Sequence, residues 1–514
     1  MKRTFVASAL VTMLALGCTD LSESPSSAIS PGNFYRNEAE VLAGLAGVYA
    51  QLRSTLDDYY NVSEVSSDEM IVPTRGQDWY DGGVWLDLHA QTWTPTSPAT
   101  GAFLGGAWNA LYGGVARANV LLDALPNVSV PNQARIESEA RVLRAFYYYM
   151  LMDLFGRVPI TTTSAIVRPP NVSRDSVFKF VESELLASRA ALPVTWDAAN
   201  NGRITKGAVD AILANMYINA GVFTKDGAAG GINAASYNAC TGITVAGGLT
   251  ACQAALNRAD SVLLSSAGYQ LADTFAKNFR ADNASSPENI LVVKFIPADG
   301  LGLNFVMRAL HYNQFNPSPW NGFATIAQTY NAFDSLDRRR QIFLVGPQRN
   351  VETGALVNDR AGNQLVFTTS IGDITQATEG EGARIYKFPA DPGHVAQNNG
   401  NDYPWFRLAE MYLIKAEAEL NGATGTSTPL ALTRAVRARA FTVDTLSAVN
   451  LAGILRERLF EFTGEGKRRQ DLIRFGQYTA PWQFKTARPD HYVLMPIPQS
   501  QIDANPDLTQ NPGY

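Results

Sequence analysis

Hydrophobic residues recur at helical spacing in three segments of the chain. Between residues 143 and 154 they fall at offsets of 0, 3, 4, 7, 8 and 11, which places them on one face of an α-helix. The same spacing returns between residues 209 and 220, and most of it returns between 408 and 420. The three sets are Leu143, Phe146, Tyr147, Met150, Leu151 and Leu154; Val209, Ile212, Leu213, Met216, Tyr217 and Ala220; and Leu408, Met411, Tyr412, Ala416 and Leu420. We expect Gly221 and Asn421-Gly422 to end the second and third helices.

Weaker amphipathic patterns predict further helices, so the regular part of the chain is expected to be mainly α-helical. They cover residues 34–53, 107–124, 175–191, 251–266, 428–440 and 451–462. The segment from Ala214 to Gly221 resembles half of a tetratricopeptide-type helical hairpin, in which small residues let paired helices approach closely. No clean 34-residue period runs through the chain, and ordinary helix packing is the alternative.

Two regions, at about 57–106 and about 280–400, lack this periodicity. They are rich in Gly, Pro, Asn and Asp and contain only short apolar runs such as Ile290 to Phe295. They are predicted to be long loops with a few strands. Long ordered loops on a rigid scaffold often carry function, so we expect the binding site there.

The first 17 residues have the pattern of a signal peptide, with Lys2 and Arg3 followed by an apolar stretch from Phe5 to Leu16. The stretch is too short to span a bilayer. Residues 14–18, Leu-Ala-Leu-Gly-Cys, resemble a bacterial lipobox, which implies lipidation of Cys18. Ala15 stands where such motifs usually have Leu, and cleavage by an ordinary signal peptidase is the alternative. Residues 18–31 are then a flexible, lipid-anchored tether, and 32–514 are predicted to be a single domain.

Composition and charge narrow the possible partners. Hydrophobic residues make up 46% of the chain and charged residues 17%, a globular balance. The net charge is −5, and a chain starting at Cys18 carries −7, so nucleic acid is not expected as a partner.

The remaining cysteines, Cys240 and Cys252, are candidates for a disulfide, which an exported compartment permits; two free thiols are the alternative. We expect no metal site and no cofactor. The four histidines, at 89, 311, 394 and 491, lack ligand spacing, and the oxygen-rich segment 398–402 lacks the spacing of a calcium-binding EF-hand.

Several blocks of the chain have the character of family motifs. They are residues 403–418 (YPWFRLAEMYLIKAEA), 457–462 with 464–476 (ERLFEF and GEGKRRQDLIRFG), 494–498 with 502–506 and 511–514 at the end, and 18–21 with 30–35 at the start. These blocks resemble the SusD/RagB family of nutrient-uptake outer-membrane lipoproteins. The similarity spans the mature chain and is weakest in the two loop regions. The resemblance implies a SusD-like fold, a glycan ligand, a SusC-like TonB-dependent transporter as partner, and a lipid-anchored location in the outer membrane that faces the cell exterior.

Aromatic side chains beside polar groups in the two loop regions are the candidate ligand contacts. Sugars present flat patches of C–H bonds ringed by hydroxyls, so exposed Trp and Tyr suit their faces and polar groups suit their edges. The resemblance implies that both regions border one surface site. The candidates are Trp79, Tyr80, Asp81 and Trp85 in the first region, and Tyr312, Asn313, Trp320 and Asn321 in the second. Burial as a core or loop anchor is the alternative for each Trp. Trp79 and Trp320 are the leading candidates, and Trp320→Ala is expected to lower glycan affinity without unfolding the protein.

No enzyme motif is present, and the chain is predicted not to be an enzyme. The sequence has no G-x-S-x-G, no H-E-x-x-H and no P-loop, although paired carboxylates for glycoside hydrolysis leave a secreted glycosidase open. Peptide binding on the same fold, as in RagB-like proteins, is the other alternative. The mixed-charge run from Arg456 to Arg474 is interpreted as a solvated or ion-paired helix face, not as a binding site.

Overall fold

The computed structural model of the protein describes residues 34–225 and 240–514. The predicted signal peptide, Cys18 and the whole tether lie outside these residues. Within them the chain forms fifteen α-helices and six short strands. The helices are α1 (Glu38–Val65), α2 (Val84–Ala90), α3 (Gly105–Ala124), α4 (Gln133–Phe155), α5 (Arg174–Ser188), α6 (Lys206–Ile218), α7 (Ala220–Phe223), α8 (Ala251–Leu263), α9 (Phe305–Ala309), α10 (Ala327–Ala332), α11 (Leu408–Leu420), α12 (Pro429–Arg437), α13 (Leu451–Phe462), α14 (Arg468–Arg474) and α15 (Gln499–Ala504).

Most of the longer helices pack against helices near them in the chain, and α8 also packs against the distant α11. Helix α3 packs on α1 and α4, α4 packs on α5, and α8 packs on α6 and α11, which also contacts α12. Side-chain caps fix several helix starts: Asn37 begins α1, Ser173 begins α5, Thr205 begins α6 and Thr250 begins α8. The mainly helical fold predicted from the apolar spacing is confirmed.

From Val142 to Phe155, helix α4 is buried on every side rather than on one face. All six residues of its predicted apolar stripe are fully buried, but so are Tyr148, Tyr149 and Met152 on the other faces. The tyrosines tolerate this position because their hydroxyls find partners: Tyr149, for example, donates to Asn215 Oδ1 at 2.5 Å. The predicted apolar face is buried, but the other faces of this part of the helix are buried as well.

The first predicted loop region starts later than expected, because α1 continues to Val65. Residues 59–65 are all buried although they include Asn61, Ser63 and Glu64. Buried polar residues hide the helical pattern of apolar positions, which is why the sequence predicted a loop from residue 57. Region 280–400 is irregular as predicted, apart from short helices and strands.

The six strands form three antiparallel pairs. Strand β1 (Asn289–Val293) pairs with β6 (Tyr403–Arg407), and the two flank the irregular region 294–402. Within that region β2 (Phe343–Leu344) pairs with β5 (Arg384–Ile385), and β3 (Gly346–Pro347) pairs with β4 (Val366–Phe367). Cys240 and Cys252 are joined by a disulfide with Cα atoms 4.8 Å apart. Among the described helices, none combines the length and apolar character needed to cross a bilayer.

The charged run from Arg456 to Arg474 lies mostly inside the protein, so a solvated face is the wrong interpretation and ion pairing is the right one. Arg458 is paired with Asp471 at 2.8 Å, and Arg474 is paired with Glu417 at 2.6 Å. The carboxylates of this run also hold Arg407 of β6, which contacts Glu461 at 3.0 Å. Buried charges persist only when they are paired and hydrogen-bonded, and this network joins α13, α14 and β6.

Two buried glutamates near this network make stability depend on pH. Burial raises the pKa of Glu64 from 4.5 to about 7, and burial also raises the pKa of Glu69. The folded protein therefore keeps a proton that the unfolded chain has released above pH 4.5, so this stabilisation is complete below pH ~4.5 and is lost as the pH rises through 7. Glu64→Gln should flatten the fall in stability between pH 5 and 8 by up to about 1.4 kcal/mol per pH unit, measured by urea unfolding. Glu137→Gln, which changes an exposed glutamate, is the matched control, and an unchanged slope in Glu64→Gln would refute the assignment.

Candidate functional site

The two loop regions meet in the structure. Ile71 N donates to the Ala324 carbonyl at 2.8 Å, and Ala324 N donates back to the Ile71 carbonyl at 2.9 Å, so the backbones are tied together. Farther out, the Tyr312 hydroxyl donates to Asp78 Oδ2 at 2.6 Å. Segments more than 200 residues apart in sequence are thus held together.

Trp79 lies where the two loop regions meet, and its side chain is half-buried. Its indole Nε1 donates to the Trp320 carbonyl at 2.6 Å, and its ring lies edge-on to Trp85 and Phe323, with centroids 5.4 and 5.6 Å away. Gly322 makes room for the indole, since a Cβ there would lie 2.3 Å from the Trp79 ring. The position of the indole is therefore fixed by one hydrogen bond, two rings and one missing side chain.

Three residues of this surface have a left-handed backbone: Trp79 (φ 62°), Asp81 (φ 41°) and Asn321 (φ 52°). This conformation is unfavourable for a bulky residue such as Trp, and strained residues of this kind cluster at functional sites. The indole contacts of Trp79 hold it in this conformation.

Two predicted contact residues are buried and face protein groups. Trp85 is 7% exposed, and its Nε1 donates to Asp81 Oδ2 at 2.8 Å. Asn321 is fully buried, accepts from Arg384 at 2.9 Å and donates to the Glu379 carbonyl at 3.2 Å. We assign both residues to the support of the surface and do not include them among the proposed ligand contacts.

The other predicted residues remain accessible. Tyr80 is 59% exposed, Asp81 and Asn313 are exposed, and Tyr312 and Trp320 are half-buried. Trp320 packs one part of its ring against the small apolar cluster of Val306, Met307, Leu310 and Phe315. The surface therefore offers aromatic rings beside polar side chains from both loops.

Sequence reasoning missed a charged group at the edge of this surface. The Arg360 guanidinium lies 4.3 Å from the centre of the Tyr312 ring, contacts Asp78 at 3.0 Å and forms a short ion pair with Glu379. His311 Nε2 lies 2.8 Å from the same glutamate. Arg360 therefore covers one face of the Tyr312 ring. No local sequence pattern marks this residue, because its partners come from three distant segments.

Tyr312 and Glu379 do not change their ionisation states near neutral pH. Burial, helped by Asp78, raises the pKa of Tyr312 to about 12, so its phenol stays protonated and donates. Burial opposes the charge of Glu379, but hydrogen bonds from the Arg360 backbone and guanidinium hold its pKa at about 2. Near neutral pH the Tyr312 phenol is therefore neutral and bonded to Asp78, and the Glu379 carboxylate is ionised and paired with Arg360. Within the described residues, no cluster of three His, Cys, Asp or Glu side chains forms a metal site.

Comparison with known proteins identifies the family. Residues 265–514 match the family model described as SusD family, and residues 37–218 match one described as "Starch-binding associating with outer membrane". The chain belongs to the SusD/RagB family. The starch-binding protein SusD of Bacteroides thetaiotaomicron is 25% identical over 511 residues, covering 88% of this chain and 85% of that protein. The SusD-like protein P25 of Formosa agariphila is 24% identical and covers 96% of each chain.

Solved structures confirm the SusD-like fold. Surface glycan-binding protein A from Bacteroides thetaiotaomicron, solved with laminarihexaose, superposes with a TM-score of 0.73 at 21% identity and covers 92% of this chain and 99% of that one. A laminarin-binding SusD-like protein gives a TM-score of 0.73 at 24% identity over 93% and 100% of the two chains. These SusD-family proteins are named for binding, in agreement with the prediction that the chain is not an enzyme.

Proposed function

We propose that this protein binds an oligosaccharide or polysaccharide on the surface formed by Trp79, Tyr80, Asp81, Tyr312, Asn313 and Trp320. The observation that carries the proposal is the junction of the two loops, where exposed and half-buried rings stand beside carboxylate, amide and phenol groups. Aromatic rings pack well on the C–H faces of sugars, and the polar groups can bond the hydroxyls at the edge. Relatives named for binding starch and laminarin support this choice of ligand class.

The proposal extends to a place in the cell. Cys18 carries a lipid anchor, and the tether up to residue 31 holds the folded part on the outside of the outer membrane. There the protein delivers its glycan to a SusC-like TonB-dependent transporter. The lipobox-like sequence and the family model described as associating with the outer membrane support this location. Mass spectrometry of the mature N-terminus tests the anchor, and an unmodified Cys18 would contradict it.

Removing single rings tests the glycan surface. Tyr80→Ala and Trp320→Ala should each lower affinity at least tenfold for the polysaccharide that the wild-type protein retains in affinity gels, because each removes a platform for a sugar face. Tyr80→Ala should leave thermal unfolding unchanged, since its side chain is exposed. Trp196→Ala is the matched control: this half-buried Trp packs against Arg203, outside the site.

Four results would contradict the proposal. Unchanged affinity in both variants would place the ligand elsewhere, and an equal loss in Trp196→Ala would indicate general destabilisation. Retention of peptides but of no polysaccharide would favour the RagB-like alternative. New reducing ends after incubation of the protein with that polysaccharide would instead indicate a glycosidase.

A further inference from the structure

A groove of about 580 Å³ lies between α1 and the segment from Phe295 to Arg308. Its lining shares no residue with the proposed glycan surface. A volume of this size falls in the range of small-molecule sites, which is about 300–1,000 Å³. The groove is therefore a separate candidate for ligand binding.

Small side chains of α1 form one side of the groove. Gly47, Ala50 and Ser54 are spaced by three and four residues, so they lie on one face of the helix. Larger side chains at these positions would fill the space. The opposite side includes the half-buried rings of Phe295 and Phe305.

The segment opposite α1 is held in place by several bonds. Ile296 N donates to the Leu301 carbonyl at 3.0 Å, and Leu303 N donates to the Asn399 carbonyl at 2.9 Å. Phe295 N donates to Asp402 Oδ1 at 3.1 Å. A wall anchored in this way is preorganised, which reduces the entropy lost when a ligand binds.

The groove is positively charged in a protein whose net charge is −5. Arg53, Arg117 and Arg308 line it, and Asp57 is its one acidic lining residue. Asp57 is already engaged, because it forms a short ion pair with Arg308, whose Nη1 also donates to Asn61 at 2.8 Å. The charge of Arg308 is thereby satisfied within the protein.

The other two arginines have no acidic partner among the residues that the structure describes. Arg53 donates from Nη1 to the Lys294 carbonyl at 3.2 Å, and within the described ranges neither Arg53 nor Arg117 forms a salt bridge. Arg117 is exposed and Arg53 is half-buried. Both guanidinium groups are available, and the planar guanidinium matches carboxylate and sulfate groups with two parallel hydrogen bonds.

We infer that this groove is a second binding site, specific for a sugar residue that carries a carboxylate or sulfate group. Arg53 and Arg117 bind the anionic group, and Phe295 and Phe305 pack against the apolar face of the ring. The inference takes its ligand class, a sugar, from the proposed function. It can fail separately, because the groove uses different residues and adds recognition of an anionic group.

Isothermal titration calorimetry with three defined tetrasaccharides tests this site. The probes are tetragalacturonic acid, a κ-carrageenan tetrasaccharide and neutral laminaritetraose, which distinguish carboxylate, sulfate and neutral sugars. Arg53→Gln/Arg117→Gln should lower the affinity for at least one acidic probe tenfold or more, with laminaritetraose unaffected. Arg168→Gln/Arg456→Gln, which removes two exposed arginines outside the groove, is the control of equal charge and should change affinity less than twofold.

The result can also overturn the inference. It is overturned if neither acidic probe binds more tightly than laminaritetraose, or if the control variant loses as much affinity as the groove variant. Loss of acidic-probe binding in Tyr80→Ala, with none in Arg53→Gln/Arg117→Gln, would assign that binding to the other surface. Equal thermal unfolding of the two double variants shows that the comparison reports binding and not stability.

Discussion

Replacing Arg407 by methionine lowers the free energy of unfolding by about 3–5 kcal/mol. Arg407 is fully buried at the end of β6 and contacts Glu288 at 2.5 Å, Glu461 at 3.0 Å and Glu465 at 2.7 Å. Methionine has a similar length but no charge, so the three buried carboxylates lose one of the cations that neutralise them. Urea unfolding measures this effect.

An exposed ion pair provides the control. Arg280 and Asp282 are 2.9 Å apart, and their side chains are 52% and 66% exposed. Arg280→Met should therefore cost no more than about 1 kcal/mol. If Arg407→Met also costs less than about 1 kcal/mol, the buried network does not hold β6 to α13 in the way described here.

Replacing Gly322 by alanine is expected to abolish most glycan binding, with at least a tenfold loss of affinity. The new methyl group would lie 2.3 Å from the Trp79 ring, and the ring cannot move away without breaking its hydrogen bond to the Trp320 carbonyl. The variant should also lose about 1–3 kcal/mol of stability through overpacking. Affinity gels and urea unfolding measure the two effects.

The matched control is Gly101→Ala. A Cβ at Gly101 meets no atom within 4 Å, so this substitution should change neither binding nor stability appreciably. Wild-type affinity in Gly322→Ala would show that the position of the Trp79 indole does not matter for the ligand. An equal loss in both variants would show a general effect of alanine in place of glycine.

The sequence predicts most helices well, because their apolar stripes face the core at regular spacing. Helix α13 begins and ends at the predicted residues 451 and 462. The prediction is poorer where polar residues are buried. Glu64 in α1 accepts a hydrogen bond from Gly466 N, and Arg458 in α13 pairs with Glu410 and Asp471. These contacts exist only in the fold, so local patterns cannot reveal them.

The sequence predicts part of the candidate site as well, and the rest depends on the fold. Loop composition located both halves of the surface, and the structure brings them together through Trp79 and Trp320. Burial separated supporting residues such as Trp85 from exposed ones such as Tyr80, and sequence alone does not fix burial within a loop. Arg360 was missed because its contacts with Asp78 and Glu379 exist only in the fold.

A crystal structure with the glycan selected by affinity gels tests the central claim most directly. The account predicts that a sugar ring lies within about 4 Å of Tyr80 or Trp320, with hydroxyls bonded to Asp81 or Asn313. A glycan bound elsewhere, with these rings free of contact, would contradict it.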